Sequence, residues 1–153
     1  MTNLATARLL ALALPAALMA GALGSQYVGG LYPCEMCHWQ RWPHYAAIAL
    51  AILAFLIRPA ARPLTILAAI AILVSGAIGG FHAGVEYGWW EGLTRCSTIG
   101  SSGDVLADIM SAPLVRCDEV QWSLFGISLA GWNALISLAG GATILALCLK
   151  RPR

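Results

Sequence analysis

The sequence predicts an all-α integral membrane protein, a four-helix bundle with one short and one long loop on its outer side. Three observations predict this fold. The 153 residues are 59% hydrophobic and 10% charged, with a mean hydropathy of +0.76, whereas a soluble domain of this size is about a quarter charged. Four stretches reach the roughly 20 apolar residues that a membrane helix needs. The charges are also segregated. Arg8, Arg58, Arg62, Lys150, Arg151 and Arg153 lie at the two ends or in one short connection. All seven acids (Glu35, Glu86, Glu91, Asp104, Asp108, Asp118, Glu119) lie in two other connections, with Arg95 and Arg116 among them and Arg41 just beyond the first.

The chain is short enough for a single domain, residues 1–153. The first span covers about 9–28 and holds no charge. Its rival reading is a cleaved signal peptide, with Arg8 as the basic region and the small residues near Gly21–Ser25 as the cleavage site. Its apolar run is long for that, and the outer loops would keep their side either way. The second span, about 36–57, carries one charge, Arg41, placed to reach the interface. Arg-Pro-Ala-Ala-Arg-Pro at 58–63 reads as a loop because of its two prolines. The third span is about 64–83 and the fourth about 124–149. Gly76, Gly80 and Gly84 repeat every four residues along the third span, a smooth strip for close helix packing or for a flat ligand.

Four spans put both termini and the 58–63 loop on one side, and the basic group there makes that side cytoplasmic. Residues of about 29–35 and 84–122 then form the outer loops, with Trp39, Trp42, Trp89, Trp90 and Trp122 at their level as an aromatic belt. Asp104-Val-Leu-Ala-Asp-Ile-Met reads as a short amphipathic helix lying on the interface within the long loop. No nucleic-acid partner is expected of a chain whose solvent is lipid.

Four of the five cysteines face outward. Cys34 and Cys37 form a C-x-x-C where the second span emerges, while Cys96 and Cys117 lie in the long loop. Cys148 sits among apolar residues near the far end of the fourth span and reads as an inert buried thiol. Four cysteines allow three pairings, and spacing does not choose among them. As a structural staple a Cys34–Cys37 bridge closes almost no loop and so gains little. A C-x-x-C at a helix start instead favours thiolate chemistry, because the helix N-terminus stabilises negative charge. Pro33 fits a helix beginning beside it. Arg41 lies one turn after Cys37 on the same face, where a cation favours the Cys37 thiolate and can donate to a carbonyl. His44 lies a further turn along, and His82 stands at similar depth on the third span; each alone is as readily an interfacial histidine.

Together these residues resemble the disulfide bond formation protein B (DsbB) family, quinone-linked thiol oxidases of the bacterial inner membrane. The likeness covers the whole chain: four spans, Cys34, Cys37 and Arg41 as C-x-x-C-x-x-x-R, the loop pair Cys96 and Cys117, Phe81-His82, and Cys117-Asp-Glu-Val-Gln-Trp-Ser-Leu-Phe-Gly leading into the last span. In the related vitamin K epoxide reductases the C-x-x-C follows the loop pair; here it precedes it. The resemblance implies redox pairs Cys34–Cys37 and Cys96–Cys117. Cys96 would be attacked by a reduced DsbA-like thioredoxin-fold partner and Cys117 would resolve that bond. Cys34 would exchange with the loop pair, and Cys37 would face ubiquinone (or menaquinone) with Arg41, His82 and His44 near the ring. No metal is expected. His38 stands where the family pattern has an apolar residue, and the loop between Cys96 and Cys117 is short, which leaves the partner either general or specialised.

His38 also completes Cys34-Glu-Met-Cys37-His38, a literal C-x-x-C-H, the attachment signature of c-type haem. The competing expectation is therefore a membrane-anchored cytochrome with His38 as axial ligand. That reading leaves Cys96, Cys117 and Arg41 without a role. A zinc site is a third option, weakened because Cys96 and Cys117 lack ligand spacing.

Overall fold

Apolar residues in long uncharged runs can satisfy their backbone in lipid only as helices, and the computed structural model, which describes residues 3–93 and 115–150, contains four of them. They are α1 (Asn3–Tyr27), α2 (Glu35–Leu56), α3 (Ala61–Glu86) and α4 (Leu129–Leu149). Three of the four, α1, α4 and α3 with the turn before it, are long and apolar enough to cross a membrane. The 22 residues of α2 give comparable length, but its first half carries Glu35, His38, Gln40, Arg41 and His44. Of these, Gln40, Arg41 and His44 are buried, so the polarity of α2 is spent inside the bundle.

The 58–63 connection is tighter than a loop. Arg58–Ala60 form one 3-10 turn and α3 starts at Ala61, with Pro63 in its first turn, where the missing N–H costs nothing. The last helix begins later than the apolar run suggests. Ser123–Leu124 and Ile127–Ser128 pair as a two-residue antiparallel hairpin, β1 and β2, before α4. Phe125 and Gly126 at its tip both have positive φ, 53° and 77°, the backbone of a tight hairpin turn. Tyr87 clasps it: its hydroxyl donates to Gly126 O at 3.2 Å and accepts from Ser128 N–H at 2.9 Å. The Ser128 side chain then caps α4, accepting from Gly131 N–H. The proposed loop helix at 104–110 and Cys96 lie outside the described residues.

The bundle has two unlike halves. Toward the end that carries the 58–60 turn, Ala7, Ala11, Ala47, Ala51, Ala68 and Ala69 are fully buried with Ile72, Ile144 and Cys148. Toward the cysteine end a second cluster joins Cys34, Met36, Val85, Val115 and Cys117. Cys148 is buried as expected.

The glycine strip is only partly a packing strip. A Cβ on Gly76 would meet Leu138 at 3.0 Å, but one on Gly80 would meet only Ala134 at 3.9 Å, an ordinary contact. Gly84 makes room for the indole of Trp90, which stacks on Phe81 and donates to its carbonyl. At Gly79 α3 comes close to the backbone of α4: a Cβ there would lie 3.0 Å from Ala130 O and 2.9 Å from Asn133 Nδ2. Gly79→Ala is therefore expected to lower stability by roughly 1–3 kcal/mol through forced separation of α3 and α4. Gly80→Ala should leave the unfolding midpoint of the detergent-solubilised protein nearly unchanged, and equal midpoints for the two variants would contradict this packing.

Candidate functional site

The site is built at the start of α2. Cys34 is the N-cap residue of that helix, and its sulfur accepts the Cys37 backbone N–H at 3.3 Å. A cap exists because the first turn of a helix has free N–H groups; here the capping atom is the Cys34 sulfur. The two sulfurs of the C-x-x-C lie 3.1 Å apart, both as free thiols. His82, near the C-terminal end of α3, places Nε2 3.6 Å from the Cys34 sulfur. These donors hold the Cys34 thiol well below the ordinary thiol range: the Cys37 side chain contributes most, with His82 and the Cys37 N–H adding to it, against the opposing effect of burial.

Cys117 enters from the other side of the long loop. Its sulfur, the Cys34 sulfur and a ring nitrogen of His82 all lie within 4.8 Å of one another, and all three residues are buried. Cys117 is disulfide-bonded, so in this state its sulfur is not available as a metal ligand; the other end of that bond is outside the described residues. Gln121 pins this segment by donating to Tyr32 O at 3.0 Å. Arg116 beside Cys117 makes a two-pronged contact with Asp118, at 2.6 and 2.9 Å, which holds that exposed carboxyl below its ordinary range.

Two cavities meet at Cys37 and Arg41. The smaller, about 60 Å³, opens at Pro33, Cys34, His82 and Glu86. The larger, about 200 Å³, lies between α1, α2 and α4, walled by Ala17, Leu18, Met19 and Ala22 and by Cys37, Arg41, His44 and Trp132. Arg41 does not reach outward to the interface. It is buried and bonds across to α1, at Gln26 Oε1 (2.6 Å) and Ala22 O (3.3 Å), because those two acceptors satisfy its charge within the bundle. His44 lines the larger cavity and bonds through Nε2 to Asn133 Oδ1 and to Ser75 Oγ. His38 lines neither cavity.

Of the residues singled out by sequence, the described part brings Cys34, Cys37, Cys117, Arg41, His82 and His44 to one end of the bundle. Sequence reasoning missed Gln40, Ser75, Glu86, Asn133 and Ser137. Gln40 and Asn133 connect the two histidines, and the carboxylate of Glu86 stands 3.9 Å from His82 Nε2. The available signal was positional: polar side chains inside apolar spans face the bundle interior.

Comparison with known proteins places these features in a family. The sequence model of disulfide bond formation protein DsbB matches residues 5–147. Disulfide bond formation protein B of Verminephrobacter eiseniae is 35% identical over 150 residues, covering 90% of this chain and 81% of the relative. The protein of that name from Polaromonas sp. is 31% identical over 154 residues, 88% of this chain and 87% of the relative. An uncharacterised Rickettsia prowazekii protein is 27% identical over 120 residues, 74% of this chain and 70% of its own. No solved structure matches the chain.

Proposed function

The chain belongs to the DsbB family of disulfide bond formation proteins, and from that premise we propose that it is a quinone-linked thiol oxidase of the bacterial inner membrane. In this reading residues 1–153 form one four-span domain, with both termini cytoplasmic and the cysteine loops periplasmic. Its substrate is the reduced dithiol of a DsbA-like thioredoxin-fold protein. The observation that carries the proposal is the meeting of Cys34 with Cys117 beside His82, within 4.8 Å.

The exchange sequence follows from that meeting. A partner thiolate attacks Cys96 of a Cys96–Cys117 disulfide, forming a mixed disulfide and releasing the Cys117 thiolate. Cys117 attacks Cys34 of a Cys34–Cys37 disulfide and releases Cys37 as a thiolate. The second partner thiol resolves the mixed disulfide and releases Cys96. Cys96 attacks Cys117 of the Cys34–Cys117 bond, restores the loop disulfide and frees Cys34. The partner has then lost two electrons and two protons, and the Cys34–Cys37 pair is reduced. His82, whose Nε2 faces the Cys34 sulfur, orients that sulfur for exchange.

The larger cavity suits a flat, mostly apolar ring. Its α1 wall is aliphatic, while Arg41 and His44 supply hydrogen-bonding groups and Cys37 supplies sulfur. A quinone held there supplies the acceptor for two electrons and two protons. Arg41, fixed by Gln26 and Ala22 O, offers a preorganised cation, and His44 adds a polar edge deeper in.

The test is turnover and trapping. Purified protein supplied with a quinone is expected to oxidise a reduced thioredoxin-fold dithiol, and a partner whose second cysteine is replaced by serine should accumulate a mixed disulfide with Cys96, because nothing then resolves it. Undiminished turnover in Cys37→Ser or Cys96→Ser would rule the mechanism out.

A further inference from the structure

Gln40 is 7% exposed and uncharged, lies three residues beyond Cys37 on α2, and joins the two histidines of the site, directly to His82 and through Asn133 to His44. Its position can be read without ambiguity. One end of its amide lies 3.2 Å from the Met36 backbone carbonyl, an atom that only accepts, so that end is the nitrogen. The same nitrogen lies 2.8 Å from His82 Nδ1. The other end is approached by Asn133 Nδ2 at 2.9 Å. That Asn133 atom is also a nitrogen, because it lies 3.3 Å from the Ser75 backbone carbonyl. Two backbone carbonyls therefore fix both amides, and turning Gln40 over would set oxygen against oxygen at one end and nitrogen against nitrogen at the other.

The consequence falls on His82. A nitrogen that receives a donated hydrogen is a bare acceptor, so in the neutral ring the hydrogen sits on Nε2. Nε2 is the atom 3.6 Å from the Cys34 sulfur. We propose that Gln40 is a positioning residue: its amide holds the His82 hydrogen on Nε2, where it donates to the Cys34 sulfur and keeps it a thiolate. Asn133 is the prop that keeps Gln40 oriented.

The packing around the amide pair supports this. Gly79 stands where the amides meet, and a Cβ there would come within 3.1 Å of Gln40 Oε1 and 2.9 Å of Asn133 Nδ2. The chain leaves out a side chain at the point where the two amides need room. A glutamine that merely filled space would need neither the matched orientation nor that gap. The groups facing the Cys34 sulfur are Cys37 and His82, with Cys117 in the same cluster and Glu86 Oε1 3.9 Å behind His82 Nε2. Glu86 and the backbone carbonyl of Cys117 are the competing acceptors for ring hydrogens of His82.

The proposal rests on the thiol-oxidase reading for its meaning, but its test reads the ring directly. The reduced protein, labelled with nitrogen-15 at its three histidines and held in lipid nanodiscs, reports which ring nitrogen carries hydrogen; His38→Gln and His44→Gln assign the signals. The wild type is expected to show His82 with hydrogen on Nε2 and none on Nδ1. In Gln40→Met the Nδ1–H form should appear, and the pH midpoint for alkylation of Cys34 should rise by about one unit, a tenfold change in thiolate stability. Asn133→Ala, which removes the prop and leaves Gln40 in place, should change both in the same direction and serves if Gln40→Met does not fold. Nδ1 remaining free of hydrogen in a folded Gln40→Met protein would overturn the proposal. Oxidase turnover of the wild type is measured separately: its absence would sink the thiol-oxidase reading and leave the Gln40 result standing.

Discussion

Replacing Cys34 by serine is expected to reduce oxidation of a thioredoxin-fold dithiol by roughly 10⁴-fold or more, the scale of loss when a covalent nucleophile is deleted, while the fold survives. The argument for the first half is geometric. Cys34 is the sulfur that touches both sides of the proposed exchange, 3.1 Å from Cys37 and within 4.8 Å of Cys117. Without it the loop pair and the membrane-facing thiol have no shared partner. The argument for the second half is that Cys34 is also the N-cap of α2. Serine is a better N-cap than cysteine, and its hydroxyl can accept the same Cys37 N–H. The unfolding midpoint should stay level while activity vanishes. Activity retained by a well-folded Cys34→Ser protein would remove Cys34 from the path. Loss of both activity and stability would show that the cap geometry, not the exchange, depends on sulfur.

The second large effect concerns pH. Because Cys34 is held well below the ordinary thiol range, its alkylation rate in the reduced protein should stay nearly level between pH 8 and pH 6. An ordinary thiol loses about a hundredfold over those two units, as its thiolate fraction falls tenfold per unit. The sign of the linked stability follows from the lowered value. The native reduced state gains from its thiolate fully above the unfolded thiol's range, and that gain is lost as pH falls through the native value. A stabilised thiolate stabilises the dithiol form, so the Cys34–Cys37 couple becomes more oxidising. With Cys34 already ionised, reduction takes up one proton for two electrons, and the potential should change by about 30 mV per pH unit near neutrality. A slope of about 59 mV per unit would mean that two protons are taken up and that Cys34 is not held as a thiolate.

Much of the fold is legible in the sequence, and the exceptions have physical causes. The ends of α1, α2 and α3 fall within a few residues of the apolar runs, apart from the six residues by which α1 starts early. The last helix starts five residues later than its run, because Leu124, Phe125 and Ile127 are as apolar as a span. Hydropathy cannot separate a hairpin from a helix there; Gly126 alone marks the turn. The C-x-x-C and its neighbours were legible because their chemistry depends on local spacing. Arg41 was found, but its partners Gln26 and Ala22 lie on another helix, so its inward orientation was not. Gln40 and Asn133 were missed for a related reason. Each is an uncharged amide 93 positions from the other, and only the packing of α2, α3 and α4 makes them one network.

The two halves of the bundle also say something about membrane energetics. Polar side chains at Gln40, His44, Ser75, His82, Asn133 and Ser137 form a linked path inward from the cysteine end. Beyond it lie buried alanines with Ile72 and Ile144, and Thr65 there turns its hydroxyl back onto its own helix, to Ala61 O. Small side chains let helices close together there, and an apolar layer offers a proton few groups to step between. In the proposed reading, protons of the redox centre would be exchanged on the cysteine side, where the polar path lies. In the proposed oxidase, thiol oxidation would carry no charge across the full bilayer, and so would neither draw on an ion gradient nor leak one.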